Sequence, residues 1–482
     1  MVKSVRKKKL TALLCLAAMS LSLLAGCGES KGDGGLFTKK QELPEDTPWN
    51  HGQFAIMETE QGWYTSSDGG ETICLRYYDK ESGKSIFLCN KPECTHDERS
   101  ENCEATYKNL RVVNALLYEG AIYVLGYDLP VDYSGDYAGS KDMTVNLSLY
   151  KAAMDGSAMD HVATIIEAEN TKNQQVKRTS GVIQTNNYSD NRFIIHKGYA
   201  YIPYMIQFGG GQAGLRGAGL MRVELSTGKT EQIYEKDTMA KGLPGGLAGV
   251  GDYVYYYSNS TGADRGWNRY NVSDKTMENL YGWLGAADYV KDGRHFSPIY
   301  FVSPMFTEDR IYYPAYTYDE ADEGRTRGMN GLIAVVAFDA KTGEVLEDES
   351  FETELPYQKY NPKESRVNGA NSFTYYDGNI MIANSEGAYF YDKSGKQFAK
   401  ILIPKEEFEI TDMDRRLFED YKICNDKLYL IYLKQQQMTN YEIYQCPLAD
   451  IFQGNGTWTF AYYMEGRLTR EKLQEIMQQQ VQ

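Results

Sequence analysis

Between Phe373 and Pro404 the chain reads Phe-Thr-Tyr-Tyr, Asp-Gly-Asn, Ile-Met-Ile-Ala-Asn, Ser-Glu-Gly, Ala-Tyr-Phe-Tyr-Asp, Lys-Ser-Gly, Lys-Gln-Phe-Ala-Lys-Ile-Leu-Ile-Pro. Four short runs of aromatic and aliphatic residues alternate with three turn signals. Asp377-Gly378 and Ser394-Gly395 mark tight hairpins, because glycine reaches positive φ without a Cβ clash. The stretch predicts a four-stranded antiparallel meander.

The same grammar recurs along the chain. An aromatic-rich second strand is found at Gly62-Trp63-Tyr64, Ala121 to Val124, Tyr199 to Ile202, Tyr253 to Tyr257, Arg310 to Tyr313, Asn379 to Ile382 and Lys427 to Ile431. A third strand with its own exit turn recurs as well. Arg76 to Asp79 leads to Ser82-Gly83, Arg222 to Leu225 leads to Thr227-Gly228, and Tyr389 to Asp392 leads to Ser394-Gly395. Seven such units in about 430 residues predict an all-β fold, a seven-bladed β-propeller. Radial repetition protects the sheet edges that a lone meander leaves open. Six or eight blades are the alternative counts. The predicted organisation is a propeller over 51–465, followed by a short C-terminal helix or tail at 466–482.

Residues 1–26 lie outside that fold. Lys3, Arg6, Lys7, Lys8 and Lys9 precede an apolar run from Leu10 to Leu24. The run is shorter than the roughly 20 residues that span a bilayer, so it reads as a secretory signal. It ends Leu24-Ala25-Gly26-Cys27. Here the sequence resembles bacterial lipoproteins. The resemblance implies that Cys27 becomes the mature N-terminus, carries lipid on its thiol, and anchors the chain to the extracytoplasmic face of the cell membrane. Residues 27–50 are polar, without an apolar period, and read as a flexible tether.

The chain carries a net charge of −15, and loss of residues 1–26 removes five basic and no acidic side chains, leaving −20. An acidic surface argues against nucleic acid as a partner. Tyr outnumbers Phe, 40 to 17. Tyrosine suits strands and half-wet surfaces, where it buries a ring and keeps its hydroxyl in water. The Tyr-rich, Asp-Gly-punctuated blades resemble TolB-like and related surface propellers of Gram-positive lipoproteins. That resemblance implies the fold and leaves the ligand open.

Loop lengths nominate a functional face. In each blade the first–second and third–fourth turns share one end, and the remaining connections share the other. The first group is short. The second group is long: Asp128–Thr144, Gln207–Ala218, Leu284–Pro298, Pro314–Gly331 and Glu352–Ala370. Long loops on a rigid scaffold are where binding usually sits. Trp283, Arg294 and His295 in one such loop, and Tyr316, Tyr318, Asp319 and Glu320 in the next, are the candidate ligand-binding residues. Aromatic rings beside carboxylates and an arginine suit a sugar or peptide, although ordinary solvated loops have the same composition.

Cys89-Asn-Lys-Pro-Glu-Cys94-Thr-His96, followed by Cys103, is the most specific chemical feature. Two schemes fit it. One is a structural Cys₃His zinc site on Cys89, Cys94, His96 and Cys103, with Cys74 as a substitute ligand. The other is a pair of disulfides, Cys74–Cys89 and Cys94–Cys103, the ordinary outcome outside the cell. The Cys74–Cys89 pairing requires a hairpin centred between Glu81 and Ser82. In both schemes the cluster is a staple, and it is expected at the long-loop end. Cys424 and Cys446 either pair or remain buried thiols.

No enzyme motif survives its context. Gly28-Glu-Ser30-Lys-Gly32 sits in the tether without strand or helix. Gly209 to Gly214 matches a dinucleotide pattern in a strand–strand loop. The five histidines fall in separate segments. The expectation is a non-catalytic module that binds a protein or glycan. The alternative is a propeller enzyme acting on extracellular polysaccharide or peptide, whose carboxylate pair would be invisible in sequence.

Overall fold

The computed structural model describes residues 57–68, 73–91, 94, 106–107, 110–128, 146–166, 177–179, 193–208, 215–236, 245–258, 265–280, 289–299, 303–319, 331–357, 372–384, 386–404, 418–433 and 440–465. The chain divides into two units, Met1–Lys40 and Gln41–Gln482, and the described residues all lie in the second. The proposed signal, tether, Cys27 and C-terminal tail fall outside them. Among the described residues no helix is long and apolar enough to cross a membrane.

Seven antiparallel sheets follow one another as the blades of a β-propeller. Their second strands are Gly62–Asp68, Ala121–Asp128, Tyr199–Phe208, Tyr253–Ser258, Arg310–Asp319, Asn379–Asn384 and Lys427–Leu433, so each aromatic run read from the sequence is the second strand of a blade. These strands are flanked on both sides, hence their near-continuous burial; Tyr201, Tyr255, Tyr312 and Tyr429 are each under 2% exposed. Burying one such ring contributes about 1.5–3 kcal/mol. The first–second hairpins turn where expected. Glu119-Gly120, Lys197-Gly198, Asp377-Gly378 and Asn425-Asp426 have positive φ at both central residues, the primed geometry that matches strand twist.

A second repeat runs across the strands. Tyr123, Lys151 and Asp160 face one another on strands two, three and four of blade two. Tyr201, Arg222 and Glu231 do so in blade three, and Tyr255, Arg269 and Glu278 in blade four. In blades three and four the third-strand arginine reaches the rim carboxylate, Arg222 to Glu231 and Arg269 to Glu278, each at 2.6 Å. Hydrogen bonds to Glu231 and Glu278, outweighing burial, push the Arg222 and Arg269 pKa up.

Named contacts join consecutive blades around the ring. Tyr64 Oη donates to Met154 O of blade two. Lys275 of blade four donates to Glu231 of blade three at 3.0 Å. Arg269 donates to Ala340 O of blade five at 2.5 Å. Tyr312 stacks on Tyr375 of blade six at 5.4 Å. Tyr421 Oη donates to Asn384 O between blades seven and six. Blades two and three meet where the exit turn of blade three presses on the fourth strand of blade two. A Cβ on Gly228 there would lie under 3.0 Å from the Val162 carbonyl oxygen. The exit-turn glycine therefore serves two needs, positive φ and blade-to-blade approach.

Ring closure was not legible in the sequence. Blade seven is built from Phe418–Cys424, Lys427–Leu433, Asn440–Pro447 and Thr459–Glu465, and blade one from Met57–Glu58, Gly62–Asp68, Ile73–Asp79 and Lys84–Phe87. Among the described residues no strand crosses between them. The seam is closed by side chains, with Trp63 stacked on Tyr462 at 4.9 Å and Glu58 reaching Lys427 at 2.7 Å.

Candidate functional site

Blade five departs most from the repeat. Its second strand, Arg310–Asp319, extends to ten residues because Tyr316-Thr317-Tyr318 continues the β-prone run. The added length needs a partner. The hairpin Tyr289–Lys291 and Arg294–Pro298 supplies it, turning at Asp292-Gly293 with φ of 51° and 79°. Arg294 pairs with Asp319, His295 with Tyr318, and Ser297 with Tyr316. Arg294 and His295 are therefore strand residues in the same blade as Tyr316, Tyr318 and Asp319. This corrects the expectation of two loops in successive blades. The expected long loop from Glu352 likewise begins as a strand, Phe351–Tyr357.

Strand alternation then splits the candidates between two faces of one sheet. On one face Arg294 donates to Asp319 at 3.2 Å and to the Thr317 hydroxyl at 2.8 Å, and it meets Glu352 at 2.8 Å. The Thr317 hydroxyl donates to Glu352. Lys291 fixes the hairpin by donating to Glu347 O and Ser350 O at 2.6 and 2.9 Å. One guanidinium thus sits between two carboxylates, and the Glu352 oxygen it meets is also taken by Thr317. Asp319 remains 60% exposed at the edge of the group. On the other face His295 stacks on Tyr318 at 4.9 Å, and Tyr316 stacks on Tyr357 at 4.4 Å. Burial, then the neighbouring Tyr316, pushes the Tyr357 hydroxyl up to about 12. His295 Nδ1, Arg294 Nε and the Tyr289 hydroxyl are buried atoms without a hydrogen-bond partner. Trp283 and Glu320 lie outside the described residues. Thr317 and Glu352 were missed in the sequence; the alternation in Phe351-Glu-Thr-Glu-Leu-Pro-Tyr was the available signal.

Tyr318 and Tyr357 are buried on one face, and the exposed Asp319 stands at the edge of the other, so the solvent-facing element of this sheet is the Arg294–Asp319 edge. On that face both carboxylates converge on a single arginine.

The cysteine motif begins directly after the fourth strand of blade one. The hairpin register does centre between Glu81 and Ser82, with Asp79 opposite Lys84 and Arg76 opposite Phe87. The fourth strand stops at Phe87, however, and Cys74 pairs across to Thr106 instead. Leu88 and Cys89 lie against the Asp155-Gly156 turn of blade two, which belongs to the short-turn end. Cys94 is buried, and its amide donates to Lys91 O at 3.1 Å. No disulfide joins Cys89 to Cys94. His96 and Cys103 lie outside the described residues, as does the side chain of Cys74. Among the described residues no group of three or more His, Cys, Asp and Glu side chains is placed to hold a metal.

Cys424 and Cys446 do not pair. Cys424 packs with Trp63 and Tyr429 towards blade one, and Cys446 packs with Leu428 and Ile451 on the opposite face towards blade six. Burial, then the charge of Glu58, pushes the Cys424 thiol up to about 12.

No protein-family model matches the chain, and a comparison with curated proteins finds no match. Solved structures that it resembles include an oligogalacturonate lyase in complex with manganese, at 9% identity and TM-score 0.38 over 75% of this chain and 83% of that one. Another is the GH74 xyloglucanase from Xanthomonas campestris, at 11% identity and TM-score 0.45 over 88% of this chain and 55% of that one. A third is the Pan2 WD40 domain of Neurospora crassa, at 9% identity and TM-score 0.32 over 83% and 87%.

Proposed function

We propose that this chain is a membrane-anchored extracytoplasmic β-propeller lipoprotein, a non-catalytic binding module for a protein or glycan. The observation that carries the anchoring is Leu24-Ala25-Gly26-Cys27 behind a basic segment and a short apolar run. A lipid on Cys27 contributes about 0.8 kcal/mol per buried CH₂, and stable attachment takes more than one chain. Binding is supported by the edge of the blade-five sheet, where the half-buried Arg294 holds the exposed Asp319. The engagement of Asp319 and Glu352 by Arg294 supports recognition over hydrolysis. The cysteine motif is a structural staple in this reading, held by zinc or by disulfides.

The test has two parts. Expressed in a Gram-positive host, the wild-type chain is expected in the membrane fraction with fatty acid on Cys27, and Cys27→Ala is expected to lose the lipid. Lipid-free wild type would refute the anchor. The mature chain is then incubated with cell-wall polysaccharide and peptide fractions. Retention without new reducing ends or free amines supports a binding module. Release of either product favours the enzyme.

A further inference from the structure

Six of the seven blade interfaces are crossed by the chain itself. The seventh, between blades one and seven, is crossed by no strand among the described residues. Among the described residues it is held by a cluster of seven buried apolar side chains, Trp63 and Tyr462 among them. Among the described residues the interfaces centred on blades five and six bury thirteen to fifteen. The interface between blades three and four is as lean as the seam, but the chain passes through it.

A carboxylate sits at the centre of the seam. Glu58 is 3% exposed on the first strand of blade one. One oxygen accepts from Lys80 of its own blade and from Lys427 of blade seven, both at 2.7 Å. The other accepts from the Tyr429 hydroxyl and, at 3.5 Å, from Asn425. Lys80 also lies 4.5 Å over the Trp63 ring. Three of these four donors come from blade seven, so most of the carboxylate's solvation is supplied across the seam. Two further polar atoms, Trp63 Nε1 and the Tyr462 hydroxyl, are buried at the same seam with no partner. Unpaired buried donors favour the state in which water reaches them.

We propose that the ring is a clasp that opens at the seam between blades one and seven, with Glu58 as its latch. Opening separates Trp63 from Tyr462 and leaves the other six interfaces intact. Local opening of this kind is the ordinary behaviour of the least-tethered unit in a fold.

Amide hydrogen exchange on the mature chain tests this, followed by mass spectrometry of peptides. In the wild type, amides of 57–64 and 459–462 are expected to exchange at least about tenfold faster than those of 254–256 and 380–382, since a gap of that size marks a separate opening unit. Glu58→Gln is expected to widen the gap by about another tenfold, and Tyr429→Phe, which removes one donor, by less. Equal protection of all four segments in the wild type would overturn the proposal. So would a uniform acceleration of every blade in either variant. The wild-type and Tyr429→Phe measurements decide the matter if Glu58→Gln does not fold.

Discussion

Gly120 and Gly228 offer a controlled comparison, because both have φ of 72° while their surroundings differ. Nothing lies within 4 Å of where a Cβ on Gly120 would stand, whereas a Cβ on Gly228 would press on the Val162 carbonyl oxygen of the preceding blade. Gly120→Ala should therefore cost only the left-handed backbone strain, about 1–2 kcal/mol. Gly228→Ala should add the cost of forcing two blades apart, about 1–3 kcal/mol in the range of overpacked cores, for a total of roughly 2–5 kcal/mol. The entropy of unfolding is about 2.1 cal/mol/K per residue, or about 0.8 kcal/mol/K for a ring of roughly 400 residues melting as one unit. The melting temperature should fall by about 1–2.5 °C for Gly120→Ala and about 2.5–6 °C for Gly228→Ala, read by differential scanning calorimetry of the two variants side by side. Equal shifts would show that the exit-turn glycines serve only the turn. The double role assigned to them would then be wrong.

Three other outcomes are expected. Hydrogen bonds from Lys427, Lys80 and Tyr429 outweigh burial and hold the Glu58 carboxyl below its ordinary value of 4.5. Its contribution is thus present above that value and lost as pH falls through the lower folded pKa, so urea midpoints should drop below about pH 4.5, and less steeply in Glu58→Gln. Elemental analysis with thiol counting should find either one zinc per chain, lost in Cys94→Ala, or no metal and no titratable thiols among Cys74, Cys89, Cys94 and Cys103; a metal-free chain with four reactive thiols would reject both staples. Arg294→Met leaves Glu352 and Asp319 facing each other on a partly exposed surface, and should cost about 1–3 kcal/mol in urea denaturation. No measurable change would mean that solvent already screens the group.

The architecture was legible because it follows from local chemistry repeated seven times. Tyr253 to Tyr257 or Lys427 to Ile431 declares a strand by side-chain shape, and Asp377-Gly378 declares its turn by the φ only such residues reach. Those signals act over two to six residues and need no knowledge of the rest of the chain. The hairpin centre between Glu81 and Ser82, a condition of one cysteine scheme, is the one the register adopts. The site was legible only in part. Arg294 and Tyr318 were singled out by residue type, but Asp319 and Glu352 share Arg294 only because alternation and the curl of one sheet bring positions 25 and 58 residues apart onto one face. The Cys74–Cys89 pairing is not read from register alone: the fourth strand ends at Phe87, a later segment pairs with Cys74, and the Cys74 side chain lies outside the described residues. Sequence by itself determined the repeating strands and their turns, and favoured seven blades over six or eight. Tertiary structure alone decided how the ring closes and which charges meet, because Glu58 and Tyr429 lie at opposite ends of the propeller sequence and no local rule connects them.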